Sequence, residues 1–422
     1  MVDRETQQYP GAKPRFFYGH VIIVAAFLVM AAMYGVHFVF GIFVKPILTE
    51  FGWTSAMTSV AFSLAMLVHG LMSIVIGGLT NRFGPRLVTT FCGFLLGLGY
   101  LLMSQISSLW QLYLVYGVII GTGGSGGFVP MMSTVAKWFV KRRSMMSGIV
   151  VAGLSAGQLI TPPIANLLMS TYDWRLSYII LGIMVLVVAV LAAQLLRRDP
   201  SQMGQVPYGQ NEREDQKVTS VIHSFSLRAA ISTRKFWLTF AIFLCFAFCA
   251  STFMVHIVPY AIDLKISAAS AARILSTFGG LSIAGRLILG YTADRIGNRQ
   301  VFIISFIMIS ATLFWLATAR EVWILYLLAA IIGFAWGGCA ASESPLVARL
   351  FGLGSHGLIL GVTALGYTFG AALGPLTAGY IFDMTGRYQI AFFASAAIGI
   401  IGLILTAVLK LPHRSWEGEN VT

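Results

Sequence analysis

The sequence predicts an all-α polytopic membrane protein with twelve transmembrane helices in two pseudo-symmetric six-helix bundles. Three observations carry that prediction. The 422 residues are 57% hydrophobic and only 10% charged, whereas soluble globular proteins are about a quarter charged; mean hydropathy is +0.82. Apolar runs near the ~20 residues that cross a bilayer recur twelve times, at approximately 19–44, 55–79, 87–105, 110–135, 144–169, 175–196, 236–259, 268–292, 300–318, 323–347, 357–381 and 388–410. Finally, motifs of the first half return in the second at a constant offset of 213 residues, as from Gly77 to Gly290.

Residues 1–18 read as a polar tail, because the first apolar run is too long for a signal peptide and no cleavage site follows it. The first bundle, 19–196, opens with span 1, which carries Tyr34 and His37, and Pro46 follows it. Span 2 carries His69 and leads into "GGLTNRFGPR" (77–86). Span 4 contains "GTGGSGG" (121–127). It resembles a phosphate-binding loop but lacks the Lys-Ser/Thr ending and follows no strand. Small residues let membrane helices approach closely, so the run is expected to serve helix packing. Span 5 carries Gly148, Gly153, Gly157 and Pro162. The polar stretch 197–235 reads as a linker, and its end, "FSLRAAISTRKFW", is expected to form a short interfacial helix.

The second bundle, 236–410, repeats this order. Pro259 stands 213 after Pro46, and Gly361, Gly366, Gly370 and Pro375 of span 11 match the span 5 set. "GYTADRIGNR" (290–299) matches the 2–3 loop. Residues 411–422 form a short tail, where the sequon at Asn420 is read as meaningless.

The net charge of +13 would suit a nucleic-acid partner if it were clustered on a polar face. Instead, with both termini cytoplasmic, 21 of the 28 Lys and Arg fall on the cytoplasmic side. Six fall outside (Lys45, Arg175, Lys265, Arg273, Arg320 and Arg387), and Arg286 lies within a span. This is the positive-inside pattern, and no nucleic-acid partner is expected. Cys92, Cys245, Cys249 and Cys339 all lie in apolar runs without metal-site spacing, so neither a disulfide nor a metal is expected. No nucleophile–base set or cofactor motif appears, and the chain is expected to be neither an enzyme nor a cofactor binder. A duplicated six-span unit with a site between the halves is the organisation of a rocking secondary transporter.

The repeated loop resembles the signature loop of the major facilitator superfamily. Its conformational residues are Gly77, Asn81, Arg82, Gly84 and Arg86 in the first copy, and Gly290, Asp294, Arg295, Gly297 and Arg299 in the second. The first copy departs from the pattern at Asn81 and Pro85, so any charge latch is expected to be weaker there. "WFVKRRSMMSGIVVAG" (138–153) and "GIFVKPILTEFGWTSAMTSVAFSL" (41–64) resemble the same regions of monocarboxylate and oxalate/formate-type transporters. "SESPL" (342–346) is similar to a sugar-porter signature but sits in span 10 without the arginine, and is read as coincidence.

Arg286 stands in "GGLSIAGRLILG" (279–290), with Ser282 and Gly290 one turn away on either side. A guanidinium at helix centre costs about 2.5–3.5 kcal/mol on insertion scales, so such residues face a partner or a cavity. Two readings stand. Arg286 pairs with a structural acid, Glu343 of span 10 being the candidate, or it binds a substrate carboxylate with its planar fork. The resemblance implies the second, because that group carries its carboxylate-binding arginine in span 8. Animal members place an aspartate where Ser282 stands and a lysine near Ile42, so their proton relay does not transfer. Oxalate/formate exchangers, which take a dianion, have a span 11 lysine where Thr363 stands. One fixed charge implies a monoanion such as lactate, pyruvate or acetate.

The expected function is therefore secondary transport of a small monocarboxylate, coupled to a proton, by a monomer in the cell (inner) membrane. The rivals are an oxalate/formate-type anion exchanger and a carboxylate sensor without flux. Candidate substrate-binding residues are Arg286, Ser282, Tyr34, His37, His256, Trp336, Thr363 and Tyr367. Candidate proton carriers are Asp263, Glu343, His256 and His69, an imidazole being the side chain that ordinarily titrates near neutrality.

Overall fold

The computed structural model describes residues 16–37, 39–210 and 225–411. The N-terminal tail, the Asn420 sequon and most of the C-terminal tail lie outside them, as does the side chain of Lys45. Twelve helices are long and apolar enough to cross a membrane: spans 1 (Gly19–Val44), 2 (Val60–Phe83), 3 (Pro85–Met103), 4 (Leu109–Trp138), 5 (Arg143–Thr171), 6 (Trp174–Gln194), 7 (Arg234–Asp263), 8 (Ala269–Ile296), 9 (Asn298–Leu316), 10 (Val322–Phe351), 11 (His356–Thr385) and 12 (Tyr388–Val408). An even number of crossings puts the 2–3 and 8–9 loops and the described ends of the chain and linker on one face, called here the terminal face.

Several helices outrun their apolar stretches. Spans 2 and 8 continue through the charged loop motif to Phe83 and Ile296, leaving one glycine each, Gly84 and Gly297, before the next helix. Each has a positive φ, 86° and 102°, where a side chain would be strained. Each amide closes the preceding helix on Thr80 and Ala293. At the other end, Thr54 and Ser267 cap spans 2 and 8 by accepting the amides of Met57 and Ser270, the use for which short hydroxyl side chains are suited.

Two apolar runs are less regular than their composition implies. In span 1 the Val39 amide reaches back three residues to the Val36 carbonyl at 3.3 Å, and the Tyr100 hydroxyl donates to that same carbonyl. Span 4 widens to π-helical geometry at Tyr113–Ile120 and turns at Ser125–Gly127 within the glycine run. Those glycines also permit close approach: a Cβ at Gly123 would overlap Leu96 of span 3, and one at Gly121 would overlap Ala65 of span 2.

Packing obeys the same two-fold repeat as the sequence. Span 1 lies on spans 5 and 6, span 2 on span 4 and span 3 on span 6; in the second bundle span 7 lies on spans 11 and 12, span 8 on span 10 and span 9 on span 12. The repeated glycines make matching contacts. Gly153 and Gly157 sit on the carbonyls of Phe27 and Ala31, and Gly366 and Gly370 on those of Phe240 and Leu244. Between the halves, span 5 meets span 8 and span 11 meets span 2.

A short helix forms at Leu227–Ile231, within the stretch expected to be interfacial, and is capped by the Ser226 hydroxyl. The linker is anchored at both described ends. Tyr208 exchanges backbone hydrogen bonds with Trp138, Val140 and Lys141, while the Phe225 amide donates to Phe351. On the opposite face Glu50 holds span 6, accepting from Arg175 at 2.5 Å and from the Trp174 indole at 2.6 Å. The Arg175 guanidinium, then the Trp174 N–H, holds this exposed carboxyl below the usual carboxylate range.

Candidate functional site

Span 8 is wedged between two helices because glycines face it from both. Gly337 of span 10 meets the Ser282 carbonyl and Gly333 meets that of Phe278, while Gly148 of span 5 rests on the carbonyl of Arg286 itself. No side chain fits at these crossings, so the backbone of Arg286 is fixed from both sides. Its Cβ points toward the N-terminus of its helix, hence away from the terminal face and along span 5. Seven residues beyond Gly148, two turns up the same face of span 5, stands Ser155.

The Arg286 side chain is fully buried. Its Nη1 donates to Ser155 Oγ, and its Cζ stands over the ring of Trp336 of span 10, 4.7 Å from the ring centroid. Nε and Nη2 have no hydrogen-bond partner among the described residues. Those two N–H groups lie along one edge of the guanidinium and point the same way, which is one of its two bidentate geometries for a carboxylate. Glu343 and Tyr367 are within electrostatic reach. Among the described residues no ion pair joins Arg286 to Glu343, the pair formed being Arg175–Glu50. Glu343 is buried.

The structure gathers some of the sequence-selected residues and leaves others apart. Trp336, Tyr367 and Glu343 surround Arg286 from spans 10 and 11. Across the interface, Tyr34 lies within electrostatic reach of Tyr367. Its ring is 6.0 Å from that of His69, which lies 6.0 Å from His37. The Ser282 hydroxyl turns back to the Gly279 carbonyl at 2.6 Å, and Thr363 donates to Ile359 and Leu360 at 3.1 and 3.0 Å. His256 sits elsewhere, with Nε2 3.0 Å from the Pro375 carbonyl and its ring on Tyr388. Asp263 is exposed at the end of span 7, 213 residues after Glu50.

At the terminal face the loop motif meets the opposite half. Asp294 accepts the Ser144 and Met145 amides at 2.8 and 2.9 Å, capping the start of span 5 where the helix dipole favours a negative charge. Asn298 adds a bond to the Ser144 hydroxyl at 2.7 Å. The symmetric Asn81 lies beside Gly357 at the start of span 11, but its Oδ1 has no hydrogen-bond partner among the described residues.

Ser155 is the contact that sequence reasoning did not single out. The glycines seven and two residues before it were visible as a repeat, but nothing in the sequence joins span 5 to Arg286.

The model of the Major Facilitator Superfamily matches residues 22–293 and 257–421. Among individual proteins, an uncharacterized MFS-type transporter, YhjX of Escherichia coli, is 28% identical over 75% of this chain and 77% of its own. Monocarboxylate transporter 13 of Rattus norvegicus is 26% identical over 94% and 89% respectively. Monocarboxylate transporter 11 of Homo sapiens is 26% identical over 93% and 83%. Of solved structures, the proton:xylose symporter XylE superposes with a TM-score of 0.72 at 16% identity, over 93% of this chain and 96% of that one. At that identity the likeness establishes the fold.

Proposed function

The chain belongs to the major facilitator superfamily, and from that premise we propose that it transports small monocarboxylates, each with one proton, by alternating exposure of a site between its halves. The observation that carries this reading is the buried Arg286 with its Nε–Nη2 edge unpaired. A permanent charge in so dry a place needs an anion, and that edge matches one carboxylate. The names of the monocarboxylate transporters that resemble the chain along nearly its whole length agree with it.

Trp336, Tyr367 and Tyr34 would contact the short apolar part of the acid. Glu343 is the proton carrier we favour, because it is the buried acid near Arg286; Asp263 is exposed and His256 engages a backbone carbonyl. With Glu343 protonated as the anion binds, the loaded carrier moves no net charge. It then escapes the ~2.3 kcal/mol per charge that each 100 mV imposes. The Asp294 cap on span 5 would hold the terminal face shut, and the positive-inside pattern supports reading that face as the cytoplasmic one.

The test is uptake of labelled lactate or pyruvate into proteoliposomes. Wild-type protein is expected to accumulate the acid when the outside is acidic, without preloading, and Arg286→Ala to lose uptake. Uptake indifferent to the gradient overturns symport, an absolute need for preloaded anion favours exchange, and normal uptake by Arg286→Ala removes the site.

A further inference from the structure

We propose that Ser155 is a positioning residue for Arg286: by holding Nη1 from the opposite half, it reserves the Nε–Nη2 edge for the substrate carboxylate. This rests on the transport reading above and deepens it. The guanidinium offers a carboxylate two bidentate approaches, end-on through Nη1 and Nη2 or side-on through Nε and Nη2. Ser155 occupies Nη1, the Trp336 ring lies under Cζ, and the side-on edge is left open among the described residues. A long, rotatable side chain is thereby reduced to one usable edge, and less freedom remains to be lost when the anion arrives.

Two further observations separate this serine from ordinary helix-packing hydroxyls. Ser282 and Thr363, near in sequence or expected function, bond to their own helices, as do Ser73 and Ser395; across the halves Ser144 accepts from an amide and Ser344 donates to a carbonyl, whereas Ser155 accepts from a charged side chain. The repeat is also broken at this contact. The position 213 residues after Ser155 is Thr368, and that 213 before Arg286 is Ser73. The backbone approach survives in both copies, Gly148 on Arg286 and Gly361 on Ser73, but the second copy has no charge for Thr368 to hold. One of two symmetry-related crossings has thus acquired an anion-binding arginine together with its support. Because serine and arginine belong to different halves, the arginine is aimed only while spans 5 and 8 are together. Anion affinity is therefore tied to the closed state of the terminal face.

The experiment has two arms on full-length protein. In detergent, thermal unfolding of wild type, Ser155→Ala, Arg286→Met and the double variant forms a cycle that needs no substrate. Coupling between the two positions is expected, and additive shifts overturn the contact. In proteoliposomes, Ser155→Ala is expected to raise KM for the labelled acid ~10-fold while Vmax stays within about twofold, the scale of one hydrogen bond to a charged group. Ser155→Thr, which keeps the hydroxyl, is expected to restore KM; a purely structural serine would show a fall in Vmax and folded yield instead. Uptake with unchanged KM in Ser155→Ala overturns the positioning role alone. Wild-type protein that takes up no small carboxylate overturns the transport reading and this role with it, and the two failures are thereby distinguished.

Discussion

A methyl group at Gly148 tests whether the site depends on the approach of spans 5 and 8. In Gly148→Ala the new Cβ would overlap the Arg286 carbonyl oxygen, with the carbonyl carbon at 3.0 Å and Ala341 Cβ at 3.3 Å. Carbon normally meets such an oxygen at about 3.3 Å or more, so the helices must part by roughly an ångström. The symmetric Gly361→Ala places its Cβ 2.8 Å from the Ser73 oxygen, a shortfall of about half that. Alanine favours a helix over glycine by about 1 kcal/mol at either site, so this gain cancels in the comparison. Overpacking costs typically about 1–3 kcal/mol, with Gly148 at the upper end and Gly361 at the lower. The functional difference is larger, since Gly148 carries the backbone of Arg286, and misplacing a working group by ~1 Å can cost on the order of 100-fold. Thermal unfolding of the purified variants and initial rates of labelled lactate uptake measure both effects. Gly148→Ala is expected to lose at least about tenfold in uptake, beside a lowered unfolding midpoint. Gly361→Ala is expected to keep most of its uptake. Equal behaviour of the two, or the greater loss in Gly361→Ala, would refute the reasoning.

Two predictions concern protons. Glu343→Gln, which keeps the shape but cannot release a proton, is expected to abolish acceleration by an inward proton gradient and to retain exchange between preloaded and external acid. Gradient-driven accumulation by this variant assigns the proton elsewhere. At the other face, the lowered pKa of Glu50, held down first by Arg175, gives a definite sign. Its contribution to stability is complete above the usual carboxylate range and is lost as pH falls through the lower folded value. The unfolding midpoints of wild type and Glu50→Gln are therefore expected to differ at neutral pH and to converge on acidification, and a difference that grows with acid contradicts the Arg175 pairing.

Much of the architecture was legible in one dimension because a bilayer imposes its requirement locally. Each helix that crosses it satisfies its own backbone and presents apolar side chains, so twelve runs in sequence became twelve spans in space. The offset of 213 was legible for the same kind of reason: a duplicated unit folds by the same contacts, as Gly153 on Phe27 and Gly366 on Phe240 demonstrate. Span ends were less legible. Charged residues at the terminal face remain helical up to Gly84 and Gly297, and hydropathy sees only the apolar part. The π-helical widening of span 4 at Tyr113–Ile120 left no mark, since its residues are as apolar as their neighbours.

Arg286 stood out in the sequence because a permanent charge among apolar residues is an energetic anomaly wherever the chain folds. What surrounds it is a question of which helices meet, and long-range packing alone decided that. Helix crossings opened by Gly148 and Gly337 bring Ser155, Trp336, Glu343 and Tyr367 from three other spans around one guanidinium. They also leave His256, equally plausible as a residue type, on the Pro375 carbonyl of span 11, and Asp263 exposed at the end of span 7. Composition and period specify what each segment must bury. Only the close approach of backbones that lack side chains at the crossing points specifies which buried groups become neighbours.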